Sequence, residues 1–117
     1  MLKLRKNQIY MTRGDSARVG LKIKIPVFPY DEYEMKPGDK CLFTCRKLQF
    51  CKEDQKNSPI IFQFEILSDG IIDIIPEYTE DLPYGDYLYD IELTLENGEI
   101  HTIIEPTILK ITREVNC

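Results

Sequence analysis

The sequence predicts an all-β fold: an antiparallel sandwich of about eight short strands with one short helical turn. Three observations point there. Apolar residues recur with a period of two in five separate runs. Clusters of Gly, Pro, Asn, Asp and Ser punctuate those runs at short intervals. No stretch keeps a helical period for longer than one turn.

Residues 2–11 alternate loosely and break at Arg13-Gly14-Asp15-Ser16, a turn by composition. Ala17, Val19, Leu21, Ile23 and Ile25 then share one face, opposite Ser16, Arg18, Lys22 and Lys24, and Pro26 and Pro29 end this strand. A polar loop closes at Pro37-Gly38. Cys41, Phe43 and Cys45 alternate with Leu42, Thr44 and Arg46 and are expected to point inward. After a charged connection, Ile60, Phe62, Phe64 and Ile66 form a further inward row. Ser68-Asp69-Gly70 is expected to be a hairpin turn into residues 71–75, where an outward Asp73 places Ile72 and Ile74 inside.

Residues 76–82 are the one candidate helical turn, with Pro76 at a permitted first position and Glu77 in its first turn. Residues 82–95 separate most cleanly by chemistry. Tyr87, Tyr89, Ile91, Leu93 and Leu95 fall on one side; Leu88, Asp90, Glu92 and Thr94 fall on the other. This is the expected central strand, and Asn97-Gly98 at its end is a strong hairpin signal. Residues 99–105 and, past Pro106, 107–115 are read as two final strands. The expected core comprises Val19, Leu21, Ile23, Phe43, Phe62, Phe64, Ile72, Ile74, Tyr89, Ile91 and Leu93.

A helical turn, Leu82-Pro83, Gly85, Tyr87-x-Tyr89 and a long strand follow one another in an order that resembles the corner before strand F of immunoglobulin-like folds. In that corner a tyrosine hydroxyl bonds back to the preceding loop. Tyr87 is the first choice for the role, bonding to the backbone of residues 77–82, and Tyr84 the second. The antibody signature of Cys, Trp, Cys is missing, since the chain has no Trp.

With 117 residues the chain is expected to form one domain, residues 1–117, around a single core. Fifteen basic and 20 acidic residues leave a net charge of −5, interspersed along the strands. Nucleic-acid binding draws on clustered Lys and Arg, so it is not expected. The opening residues lack the apolar core of a signal peptide, and the longest apolar runs are too short to span a bilayer. A protein made and kept in the cytosol is expected, with no membrane partner.

Candidate chemistry is sparse. Cys41, Cys45 and Cys51, with His101 or Cys117 as a fourth ligand, invite a zinc reading. However, Cys41 and Cys45 lie in one predicted strand roughly 13 Å apart. That separation also forbids a disulfide between them. They are expected to be small apolar core residues, and neither metal nor cofactor is expected. His101 has no activating partner in sequence and reads as a surface or edge residue. Asp69, Asp73, Glu77, Glu80, Asp81 and Asp86 sit in and around turns, where acids cap and solvate. The loop over residues 77–86 lacks EF-hand spacing for calcium. No Gly-x-Ser-x-Gly elbow is present, so no catalytic residue is assigned and an enzyme is not expected.

Four phrases carry a family resemblance. They are Ile9-Tyr-Met-Thr-Arg-Gly-Asp-Ser16, Met35-Lys-Pro-Gly-Asp39, Ile74-Ile-Pro-Glu-Tyr-Thr-Glu-Asp-Leu-Pro-Tyr-Gly-Asp-Tyr-Leu-Tyr-Asp-Ile-Glu-Leu93 and Ile103-Ile-Glu-Pro-Thr107. Their order resembles small all-β proteins encoded by phages and prophages of Gram-positive gut bacteria, and the N-terminal β-sandwich domain of phage baseplate upper proteins. The resemblance implies a non-enzymatic virion or assembly component, assembled in the host cytoplasm. Its partners would be other phage structural proteins or further copies of itself in a homo-oligomer. The three cysteines between positions 41 and 51, and Cys117, depart from that pattern. The alternative is a carbohydrate- or ligand-binding sandwich module, which would usually display a flat row of exposed aromatics; here most fall on inward faces. Residues 2–11 and 107–115 are the expected sheet edges, with 107–115 ranked first for docking.

Overall fold

Alternating apolar residues build two β-sheets in the computed structural model, which describes residues 2–5 (as backbone), 7–21, 35–49 and 57–113. The elements in chain order are β1 (Leu2–Arg5), β2 (Gln8–Thr12), β3 (Ala17–Gly20), β4 (Lys40–Lys47), β5 (Ile60–Ile66), β6 (Ile71–Ile74), α1 (Pro76–Thr79), β7 (Gly85–Thr94) and β8 (Ile100–Thr112). Six strands form one sheet in the order β1-β2-β8-β7-β4-β5, and β3 pairs with β6 in a second. The chain therefore changes sheet before and after β3 and again before and after β6. Apolar residues of both sheets meet in one buried cluster, as in a sandwich.

The core follows the period of two. Phe43, Ile74, Ile91 and Leu93 are fully buried, and Phe62, Ile72 and Tyr89 nearly so. Val19, Leu21 and Phe64 are half-buried against this cluster, while Ile23 lies outside the described residues. Four large contributors were not expected: Ile9, Met11, Leu109 and Ile111. They come from β2 and β8, which pair in parallel with Ile9 opposite Leu109 and Met11 opposite Ile111. The sheet is thus antiparallel apart from this one pair. Ile60, expected inside, is exposed because the ladder slips between Cys45 and Arg46, and the slip turns Ile60 out of the inward row.

Residues 2–11 are two strands joined at Asn7, whose φ of 68° makes the reversal possible. Residues 100–112 are one strand where two were expected. Pro106 does not end it, because two steps along β7 (Tyr89 to Ile91) match three along β8 (Thr107 to Ile104). The extra residue forms a bulge that accommodates a position with no N–H to donate. Residues 109–112 run between β2 and β7 in the interior of the sheet, whereas the earlier part of β8 pairs on the β7 side alone among the described residues. The expectation that residues 107–115 form a docking edge is overturned for 109–112, which β2 covers; residues 114–117 lie outside the described residues.

The turn at 67–70 closes as expected, with Gly70 N–H donating to Leu67 O (2.9 Å) and Ile71 N–H to Asp69 Oδ1 (3.0 Å). It is not a hairpin, since β5 and β6 belong to different sheets. Turn composition is the same whether the chain returns beside itself or crosses to the opposite layer. By contrast Asn97-Gly98 does join neighbouring antiparallel strands, closed by Leu95 N–H to Glu99 O at 2.7 Å.

Candidate functional site

The crossing from β6 to β7 is tied down by several hydrogen bonds. Pro76 opens α1 with φ preset, and Glu80 N–H donates to Pro76 O at 3.0 Å. Thr79 is fully buried, and its Oγ1 accepts from Gly14 N–H at 3.0 Å. The Arg13 guanidinium lies 4.2 Å from the centroid of the Tyr84 ring and donates to Leu82 O at 3.4 Å. The Arg-Gly-Asp turn is thereby used as a brace for the corner, consistent with its reading as a turn.

Tyr87, 7% exposed, donates from its hydroxyl to Pro83 O at 2.7 Å. Its acceptor lies one residue past the expected 77–82 segment, because Pro83 turns its carbonyl back toward β7. Tyr89 makes a longer-range tie, donating to Asn7 O across the turn between β1 and β2. Tyr87→Phe removes this bond; Pro83 is exposed, so water can reach its carbonyl and the expected cost is about 0.5–1.5 kcal/mol. Urea unfolding of the variant checks this, and an unchanged midpoint would remove the bond from the account of stability.

Cys41 and Cys45 are fully buried on either side of Phe43, as alternation predicts. Burial, and then the Glu65 carboxylate, push the Cys41 thiol up to about 11; burial pushes Cys45 up to about 12. Both are therefore protonated, poor nucleophiles at neutral pH. Among the described residues no three His, Cys, Asp or Glu side chains converge to hold a metal ion, and Cys51 and Cys117 lie outside those residues. Native protein at pH 8 should shield both buried thiols from an aromatic disulfide reagent and release them on unfolding. Rapid labelling of Cys41 or Cys45 in peptide maps would show an open core. Because folding raises these values above 9.0, stability present below pH 9 is lost as pH rises toward 11 and 12.

His101 lies on the part of β8 that β2 does not reach, so among the described residues its strand is paired there on the β7 side alone, in keeping with a surface or edge position; its Nε2 is 3.3 Å from the exposed Glu99 Oε2. Asp69 is committed to the 67–70 turn, and Asp73 faces Arg18 at 3.9 Å on the surface. Sequence reasoning did not single out Asp90. Partial burial on the outer face of β7 raises its carboxyl, opposed by Arg46 and reinforced by Glu92 and Glu105. Arg46 itself donates to Ser58 O at 2.9 Å, so this face is an ordered polar surface.

The aromatic side chains form a ladder across strands. Phe43 of β4 lies between Tyr89 of β7, 4.8 Å away, and Phe64 of β5, 4.7 Å away, with planes within 14°. These distances match the spacing of hydrogen-bonded strands, about 4.8 Å. Tyr78 of α1 continues the stack beyond β5, 5.1 Å from Phe62 and 5.3 Å from Phe64. It occupies the position of a next rung where, among the described residues, the sheet has no next strand.

A surface groove of about 230 Å³ opens beside this rung, between β5 and β6. Phe64, Ile71 and Tyr78 line it, with Glu65, Asp69 and Asp73 among its polar groups. Sequence alone could not assemble it, since its walls come from four elements, β3, β5, β6 and α1; the one signal was the phenylalanine pair in β5. No helix among the described residues is long and apolar enough to cross a membrane. Comparison with known proteins finds no family model that matches this chain, and no curated protein or solved structure significantly similar to it.

Proposed function

We propose that the chain is an immunoglobulin-like β-sandwich that serves as a non-enzymatic structural or assembly component of a phage or prophage particle, acting through protein–protein contacts. It would be assembled in the host cytoplasm into a virion, with other structural proteins or further copies of itself as partners. The observation that carries this reading is the run from Ile74 to Leu93. The longest phrase of the family resemblance coincides with the braced unit of α1, the Tyr87–Pro83 bond and β7. The polypeptide also offers sheet edges, which bind by backbone geometry without reactive side chains.

The ring stacking supports protein contact over the carbohydrate-binding alternative. Sugar platforms need aromatic faces open to solvent, and Phe43, Phe62, Phe64 and Tyr89 spend their faces on one another. Light scattering over a concentration series, with pull-downs against the products of neighbouring genes, tests the proposal. Self-association, or capture of a tail or capsid product, is expected. A strict monomer that captures none of them and binds an oligosaccharide would replace this reading with the alternative.

A further inference from the structure

We infer that the groove between β5 and β6 takes an extended, basic segment of a partner protein, which adds as a strand to the edge of β5 that no other strand pairs with among the described residues. The inference rests on the protein-contact reading above and gives it a surface and a partner chemistry.

Among the described residues the outermost strands of the larger sheet, β1 and β5, differ in kind. β1 has four residues and the sequence Leu-Lys-Leu-Arg, short and basic, as edges that avoid pairing tend to be. β5 has seven, Ile-Ile-Phe-Gln-Phe-Glu-Ile, with no Pro, Lys or Arg. It thus lacks the Pro and Lys that most often discourage another strand from pairing, its one charge being Glu65; its ladder with β4 slips at the Ile60 end, and the Tyr78 ring of α1 covers only its Phe62 and Phe64 side chains. Exposed Ile60 and Leu67 flank it, supplying apolar contact at both ends of an added strand.

Charge selects the occupant. The groove carries three carboxylates, Glu65, Asp69 and Asp73, against one cation, Arg18. Arg18 is only 3.9 Å from Asp73 and leaves an excess of two negative charges. Like charges across a pairing strand are unfavourable, so an acidic segment, including this strand in a second copy with its Glu65, is disfavoured relative to a basic one. A Lys or Arg side chain can lay its aliphatic stem over the Phe64–Tyr78 wall and bring its charge to Glu65 or Asp73. Alternation in the added strand would place the basic residues at every second position, with apolar residues between them.

Selection from a randomised linear peptide library on the immobilised protein tests this. Enriched sequences should alternate Lys or Arg with apolar residues. Their affinity should fall about tenfold in a Glu65→Lys, Asp73→Lys double variant and fall further with added salt. Both carboxylates are exposed, but Asp73→Lys places a cation directly opposite Arg18, so Glu65→Gln with Asp73→Asn is tested beside it, with a smaller loss of affinity expected and the thermal unfolding curve in place. Amide shifts on binding should concentrate in β5. No enrichment, enrichment of acidic sequences, binding indifferent to both variants, or a glycan-array ligand displaced by Tyr78→Ala would each overturn the inference. A neighbouring gene product that is captured equally by wild type and double variant removes the groove but leaves the protein-contact reading standing, whereas loss of all capture removes both.

Discussion

Phe43→Ala is expected to lower the unfolding free energy by about 3–5 kcal/mol. The ring has no exposed surface and lies 4.7 Å from Phe64, 4.8 Å from Tyr89 and 6.0 Å from Phe62. Removing it deletes the middle rung of a ladder that spans β7, β4 and β5. Neighbours held on adjacent strands at fixed spacing can close the void only in part, so a cavity term adds to the lost transfer free energy. Domains of this kind have about 5–15 kcal/mol in total, so the loss is a large fraction of the stability and shifts the unfolding midpoint well outside the spread of surface variants. Phe43→Leu, which keeps apolar bulk, should lose markedly less. Chemical denaturation of the two variants checks the order. A Phe43→Ala loss below about 1 kcal/mol would mean that the ring is not at the centre of the core.

Period-two alternation made the buried faces legible and left the strand order hidden. Cys41, Phe43 and Cys45 could be placed inside because a strand with one wet face must put every second residue in the core. The same pattern says nothing about which strand lies alongside. Ile9 and Met11 are core residues because β2 pairs in parallel with β8, a contact between the two ends of the described chain that no local signal encodes. Pro106 misled in a different way. It forbids one donated hydrogen bond, and a bulge absorbs that loss without ending the strand. The corner was legible to within a residue because a Tyr-x-Tyr strand entrance after Leu-Pro is a local device with a local acceptor. The groove was not, since Tyr78 meets Phe64 only after the chain has crossed from one sheet to the other.

Leu109→Ala is expected to cost about 2–5 kcal/mol, and it decides where the last strand belongs. Leu109 is fully buried, opposite Ile9 of β2 on one side and Tyr87 of β7 on the other. Its side chain therefore joins the N-terminal hairpin to the braced corner, and shortening it loosens both contacts together. Lys110, the next residue along, is exposed, and Lys110→Ala should change stability by no more than about 0.5 kcal/mol. A docking edge would behave otherwise. Truncation at a solvent-facing edge residue would leave the unfolding midpoint in place and weaken association instead. Urea unfolding of the two variants, each followed by light scattering, separates these outcomes. A Leu109→Ala protein with an unchanged midpoint and weaker association would move residues 109–112 out of the sheet interior and return them to its edge.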